Sequence, residues 1–166
     1  MKKVMAMMLV FTLLLACCGC SAGSTDNSQP QSIPTEPSVN QAHEGMVRVF
    51  LTSLFTSDVE AVEACVPDDL KPYYRLIVSA SNYDNVSFVD VEAEFEGQLD
   101  EQAILDIQAR YLEETSMKIT ISNAYLYGWR VTLHYTETEE TKTLSSDQFG
   151  VIVAEIHGRL YTLSTL

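Results

Sequence analysis

The fold is decided by residues 149–163, FGVIVAEIHGRLYTL. Residues 149–156 are apolar at nearly every position, which is typical of a strand buried on both faces in the middle of a sheet. The pair His157-Gly158 predicts a two-residue hairpin turn, and residues 159–163 return as the next strand. This stretch therefore predicts a β-hairpin whose first strand lies at the centre of an antiparallel sheet.

Two further strands are predicted between residues 117 and 135. The first has its apolar face at Met117, Ile119, Ile121 and Tyr125. Gly128 then marks a turn into a second strand, whose apolar face holds Trp129, Val131, Leu133 and Tyr135. The acidic stretch 137–140 predicts the solvated tip of the hairpin that follows.

An earlier strand is predicted at residues 89–97. Its apolar face holds Val89, Val91, Ala93 and Phe95, and these alternate with the carboxylates Asp90, Glu92, Glu94 and Glu96. A row of carboxylates can attract a metal ion, but an oxygen cage usually needs carbonyl groups and a turn as well. We therefore expect a solvated strand face and predict no metal site.

Helical periodicity precedes this strand. Spacings of three and four predict a first helix with the apolar stripe Met46, Val47, Phe50, Leu51, Leu54 and Phe55. The sequence Ser57-Asp58-Val59-Glu60 predicts a capping box in which Ser57 caps a second helix. Pro67 ends that helix, because the residue before a proline is disfavoured in helical geometry.

Two more helices complete the pattern. The third is expected to be capped by Asp68 or Asp69 and to pack through Tyr73, Leu76 and Ile77. The fourth follows the first strand, with Asp100 as its cap and Thr115 near its end. Its inward-facing residues are expected to be Ile104, Ile107, Tyr111 and Leu112.

This order of elements predicts an α+β domain over residues 43–166, with N-terminal helices packed on a curved antiparallel sheet of about four to five strands. Residues 50–64, 117–135 and 151–161 resemble the nuclear transport factor 2-like superfamily, a cone-shaped fold. More narrowly, the chain is similar to small uncharacterised lipoproteins of Gram-positive bacteria that carry such domains. The resemblance implies little about activity, since this fold hosts enzymes, ligand carriers and interaction modules.

The N-terminus resembles a bacterial lipoprotein export signal. Lys2 and Lys3 precede an apolar run at residues 4–16, which is shorter than the roughly 20 residues that a membrane-spanning helix needs. Leu14-Leu15-Ala16-Cys17 is similar to a lipobox, which implies a signal peptide at 1–16 and acyl chains such as palmitate on Cys17. Cys20 is the competing lipidation site. The expected location is the extracytoplasmic face of the cell membrane.

Residues 17–42 carry the anchor and a linker rich in Ser, Pro, Asn and Gln, with too little apolar surface to fold. The chain has 10 basic and 23 acidic residues and a formal net charge of −13. This acidity opposes binding to nucleic acid and to anionic headgroups, and it favours solubility outside the cell. Cys65 is the single cysteine of the predicted domain and is expected to be a small buried hydrophobe.

We find no sequence motif that predicts catalysis or a cofactor. His134 alternates with polar residues on a strand, His157 lies in a turn and His43 lies at the linker junction, so an enzyme is not expected. A candidate ligand pocket in the cone would involve Trp129, Tyr125 and Tyr111. The first prediction is a protein-interaction or structural module, with a protein partner or a homodimer formed through the sheet. Binding of a small ligand or peptide comes second and catalysis last.

Overall fold

The computed structural model describes residues 39–81, 83, 85–138 and 140–165. The predicted signal peptide, Cys17, Cys20 and residues 17–38 of the predicted linker lie outside these ranges. Within them the order of elements is α1 (Val39–Phe55), α2 (Val59–Cys65), a 3₁₀ turn (Asp68–Leu70), α3 (Lys71–Ala80), β1 (Val86–Gln98), α4 (Glu101–Thr115), β2 (Asn123–Tyr135), β3 (Thr141–Ser145), β4 (Val151–Ile156) and β5 (Arg159–Ser164). The predicted α+β class is confirmed. No helix in the described ranges is long and apolar enough to cross a membrane.

One long strand, β2, organises the curved antiparallel sheet. It pairs along its length with β1, while its first part (Asn123–Tyr127) pairs with β4 and its second part (Arg130–His134) pairs with β3. β5 pairs with β4 and completes the order β1-β2-β4-β5. The predicted turn at Gly128 is wrong, because β2 passes straight through this residue, which pairs with Glu94.

The strand predicted at residues 117–125 is also wrong in its first part. Residues 117–121 have no assigned secondary structure, and β2 begins at Asn123. The predicted alternation still holds, since Ile119 and Ile121 are buried while Lys118 and Thr120 are exposed. The reason lies in the packing of the sheet. Asn123 pairs with Glu155 near the end of β4, so residues 117–121 lie beyond the end of β4 and have no strand beside them on that side.

The hairpin at residues 151–164 forms as predicted. Every residue of β4 is buried except Glu155, which is half-buried, so both faces of the strand are covered. His157 and Gly158 have φ values of 52° and 74°, the left-handed geometry of a two-residue turn that matches the twist of the strands. The hairpin tip after β2 also forms, because β2 and β3 pair on either side of residues 136–140.

Helix α1 supplies the largest apolar stripe of the helical layer. Its buried residues are His43, Val47, Phe50, Leu51, Ser53, Leu54 and Phe55. The ring of Phe55 lies 6.2 Å from that of Trp129 on β2, and the ring of Phe50 lies 5.7 Å from that of Tyr74 on α3. Arg48 donates from its guanidinium to the carbonyl of Val91, which ties α1 to β1.

The helix caps follow the prediction only in part. Asp100 caps α4 as predicted, since its carboxylate accepts from the amide of Ala103 at 2.8 Å. Asp58, and not Ser57, caps α2 by accepting from the amide of Ala61 at 3.1 Å. Ser57 has a φ of 57°, whereas an N-cap residue is normally extended. Asp68 and Asp69 lie within the 3₁₀ turn, and no side chain caps α3.

Two leucines expected to face inward face water instead. In α3 the buried residues are Tyr74 and Val78, whereas Leu76 is 70% exposed. In α4, Ile104, Ile107 and Tyr111 are buried as predicted, but Leu112 is 51% exposed. Leu112 follows Tyr111 by one residue, or about 100° around a helix of 3.6 residues per turn, and so lies at the side of the buried stripe.

Candidate functional site

A polar group lies inside the apolar layer near the start of α1. His43 is four residues before Val47 on the same helix stripe, so its imidazole points at the sheet and is only 3% exposed. Its ring centroid lies 5.0 Å from that of Tyr125 and 6.3 Å from that of Tyr127. Phe95 on β1 packs against Tyr127 from the other side, with the ring centroids 5.7 Å apart. We call His43, Tyr125 and Tyr127 the histidine site.

Three buried polar atoms on this face of the sheet have no hydrogen-bond partner. They are Nδ1 of His43, the hydroxyl oxygen of Tyr127 and Oγ1 of Thr162. Thr162 shares the face because it pairs with Val153, which in turn pairs with Tyr125. An unsatisfied buried polar group costs about 1–3 kcal/mol and is uncommon in folded proteins. Buried polar atoms of this kind are normally met by an ordered water molecule or by a bound ligand, and here three of them lie on one face of the sheet.

Burial keeps the imidazole of His43 and the phenol of Tyr127 neutral. Burial lowers the pKa of His43, which favours the neutral imidazole. Burial raises the pKa of Tyr127 to about 12, with a smaller contribution from the nearby carboxylate of Glu44. At neutral pH the site therefore offers a neutral imidazole and a neutral phenol, each able to donate or accept a hydrogen bond.

Of the three residues predicted to form a pocket, the structure places Tyr125 in the histidine site, where it is half-buried. Trp129 is 4% exposed and packs between Phe55 and Phe149, with ring centroids 6.2 and 4.7 Å away. Its indole donates to the carbonyl of Phe149 at 3.0 Å. Trp129 is thus a core residue whose polar atom is already satisfied.

Tyr111 is fully buried in a different network, which joins α3, α4 and β5. Its hydroxyl donates to the carbonyl of Ser164 at 2.7 Å. The hydroxyl of Tyr74 lies 2.7 Å from that of Tyr111 and accepts from the amide of Ser164 at 2.8 Å. Because the proton of Tyr111 is committed to Ser164, Tyr74 donates to Tyr111. The hydroxyl of Tyr74 also lies 3.1 Å from Oγ of Ser164, and the proton of Tyr111 is already used within the fold.

Two other concave surfaces lie outside the histidine site. A groove of about 630 Å³ on the outer face of the sheet is bordered by Glu92, Glu94, Glu96, Arg130 and Asp147. A cleft of about 200 Å³ is lined almost entirely by apolar atoms of Phe50, Leu54, Tyr74, Ile77, Phe149 and Ser164. Among the described residues no three His, Cys, Asp or Glu side chains come together in a way that could hold a metal ion.

His134 and Cys65, which the sequence also singled out, lie elsewhere in the fold. His134 is half-buried on β2, and its ring lies 5.4 Å from that of the exposed Phe88. Cys65 is half-buried at the end of α2, and burial raises the pKa of its thiol, which disfavours the reactive thiolate. Neither residue joins the histidine site.

The sequence did not place His43 or Tyr127 in the predicted ligand pocket. His43 was assigned to the linker junction, yet it continues the stripe of Val47 and Leu51 backward by one helical turn, and α1 begins four residues before it. Tyr127 lies between Tyr125 and Trp129 on the inner face of β2, and the predicted turn at Gly128 hid that continuity.

No protein-family model matches the chain, and no curated protein or solved structure is significantly similar to it. The function therefore has to be inferred from the geometry of the described residues.

Proposed function

We propose that this chain is an extracytoplasmic lipoprotein, anchored in the cell membrane through Cys17, whose domain binds a small uncharged polar ligand at the histidine site. The domain would belong to the nuclear transport factor 2-like class, a proposal supported by the order of helices and antiparallel strands. The observation that carries the ligand-binding function is the set of unpartnered atoms on His43, Tyr127 and Thr162.

The chemistry of the site narrows the class of ligand. A charged ligand would lose hydration in this buried environment, and an anion would also be repelled by Glu44. The rings of Tyr125 and Tyr127 offer apolar faces beside the free polar atoms. The ligand is therefore a neutral compound with an apolar face and with hydroxyl or amide groups along one edge. Binding alone is proposed, with no reaction.

The test is native mass spectrometry of the full chain, overproduced in its host and released from detergent micelles. A denatured spectrum gives the mass of the lipid-modified polypeptide, and the native spectrum should show a further small mass on the folded protein. Tyr127→Phe should lose that mass because it removes one of the free hydroxyls. Tyr135→Phe is the matched control, since Tyr135 is a half-buried tyrosine on the same strand outside the site.

Two results would overturn the proposal. One is a native mass of the wild-type protein equal to that of its lipid-modified polypeptide. The other is an added mass that Tyr127→Phe retains as fully as the wild type, which would place the ligand elsewhere.

A protein-interaction role, the first prediction from the sequence, is supported by a different surface. Helix α4 exposes Leu105 and Leu112, which are 50% and 51% accessible, next to the unassigned segment that precedes β2. This surface does not overlap the histidine site.

A further inference from the structure

The segment Met117–Ser122 has the sequence pattern and the alternating burial of a strand, but only its last residue contacts one: the amide of Ser122 donates to the carbonyl of Glu155 on β4 at 2.9 Å. The amide of Met117 donates to Oγ1 of Thr115, and the amide of Ile121 donates to the side-chain oxygen of Gln108. Among the described residues, no hydrogen bond involves the backbone of Lys118, Ile119 or Thr120. Backbone groups left unpaired beside the end of a sheet are a template for another strand.

Apolar side chains and grooves lie alongside this segment. A groove of about 350 Å³ separates it from Ala109 and Leu112 of α4, and a second groove of about 500 Å³ continues past Leu105 to Asn123. Gln108 and Thr120 border both grooves, so they form one continuous surface. We call Met117–Ser122 with Leu105 and Leu112 the α4 face.

Charge indicates which occupant this face can accept. A chain with a net charge of −13 repels its own copies, so self-association requires a surface poor in carboxylates. Residues 116–136 contain no Asp or Glu, although the chain has 23 of them. Within the α4 face, Met117–Ser122 has no carboxylate and carries the positive charge of Lys118, whereas α4 carries the exposed carboxylates of Glu101, Asp106, Glu113 and Glu114. A second copy can therefore bring charges of opposite sign together at this face.

The face is also complementary to itself. In an antiparallel pairing centred on Ile119, Lys118 lies opposite Thr120 of a second copy, and Met117 lies opposite Ile121, so no like charges meet. In this pairing, Lys118 of one copy approaches the second groove of the other copy. Glu101 borders that groove at its end. Each contact is made twice, as a twofold interface requires.

We propose that the α4 face is the interface of a twofold homodimer in which the 117–121 segments of two copies pair as antiparallel strands. This interface is independent of the ligand proposed for the histidine site. It joins two domains through an added pair of strands and buries the exposed leucines of α4.

The test compares two exposed threonines changed to glutamate in the full chain. Native mass spectrometry across the micromolar range should show a wild-type dimer, and Thr120→Glu should weaken it at least about tenfold by placing carboxylates in the interface. Thr143→Glu, on the exposed strand β3, is the matched control and should leave the dimer unchanged. A wild-type chain that stays monomeric, or equal weakening by both variants, overturns the proposal.

A cross-linking measurement does not depend on destabilising the interface. Chains carrying Lys118→Cys are mixed with chains carrying Thr120→Cys, in a background where Cys18, Cys20 and Cys65 are serine. The antiparallel pairing predicts a disulfide between the two kinds of chain, because residues 118 and 120 face each other across it. Mixed chains that cross-link no faster than Lys118→Cys with Thr143→Cys refute the pairing.

Discussion

The hydroxyl oxygens of Tyr74 and Tyr111 lie 2.7 Å apart, and both hydroxyls form hydrogen bonds with the backbone of Ser164 on the edge strand β5. Tyr74 accepts from the amide of Ser164, and Tyr111 donates to its carbonyl. Two side chains from two helices thus take the place that a neighbouring strand would occupy. Burial raises the pKa of both tyrosines, which keeps the protons that this network needs.

Tyr111→Phe should destabilise the domain by about 1–3 kcal/mol, because it leaves the buried carbonyl of Ser164 without a donor. Urea unfolding of the full chain measures the change in the free energy of unfolding. A variant as stable as the wild type would show that the hydroxyl of Tyr111 is not engaged with Ser164.

Tyr127→Phe should not lower the free energy of unfolding as Tyr111→Phe does. The hydroxyl of Tyr127 is buried without a partner, so its removal should leave the ligand-free domain equally stable or stabilise it by about 1 kcal/mol. The measurement is urea unfolding of protein refolded after removal of any bound ligand. Destabilisation as large as that of Tyr111→Phe would mean that the Tyr127 hydroxyl already has a partner inside the fold.

His43 should make stability depend on pH. Burial lowers its pKa in the folded state, so the unfolded chain binds the proton more readily and acid favours unfolding. The stability attributable to neutral His43 should therefore be complete above about pH 7 and fall as the pH drops below about 6.5, the ordinary pKa of histidine.

The free energy of unfolding of the wild type and of His43→Phe, measured from about pH 5 to 7.5, isolates this contribution from that of the carboxylates. The wild type should lose stability relative to the variant as the pH falls. A constant difference between the two proteins would contradict the buried, unpartnered position of His43.

The anchor assignment predicts different outcomes at two cysteines. Cys17→Ala should block lipidation and processing, so the chain should keep its signal peptide or leave the membrane fraction. Cys20→Ala should be processed and labelled normally with a radioactive fatty acid. Normal labelling of Cys17→Ala together with loss of labelling in Cys20→Ala would move the anchor to Cys20.

The elements predicted best from the sequence are those whose signal is local. The turn at His157-Gly158, the doubly buried strand before it and the Asp100 cap each depend on a few adjacent residues, and each is confirmed. The first part of the strand predicted at 117–125 is wrong because pairing depends on where β4 ends, and no local pattern carries that information.

The histidine site could also be predicted from the sequence only in part. Tyr125 was expected in a pocket because it is aromatic on an inner strand face, whereas His43 was judged by its place beside a polar linker. Its burial depends on which face of α1 meets the sheet, and its unpartnered nitrogen depends on the register that brings Tyr125 and Tyr127 beneath it. Tyr125 could be predicted from the sequence, but the unsatisfied polar atoms of His43 and Tyr127 could not.

The arrangement of β2 and β4 constrains the order in which the domain can mature during synthesis. α1, β1, α4 and β2 all leave the ribosome before β4, which lies between β2 and β5 in the sheet. Until β4 has emerged, the edge of β2 at Asn123–Tyr127 that pairs with it has no partner strand, and an open edge of this kind is prone to aggregation.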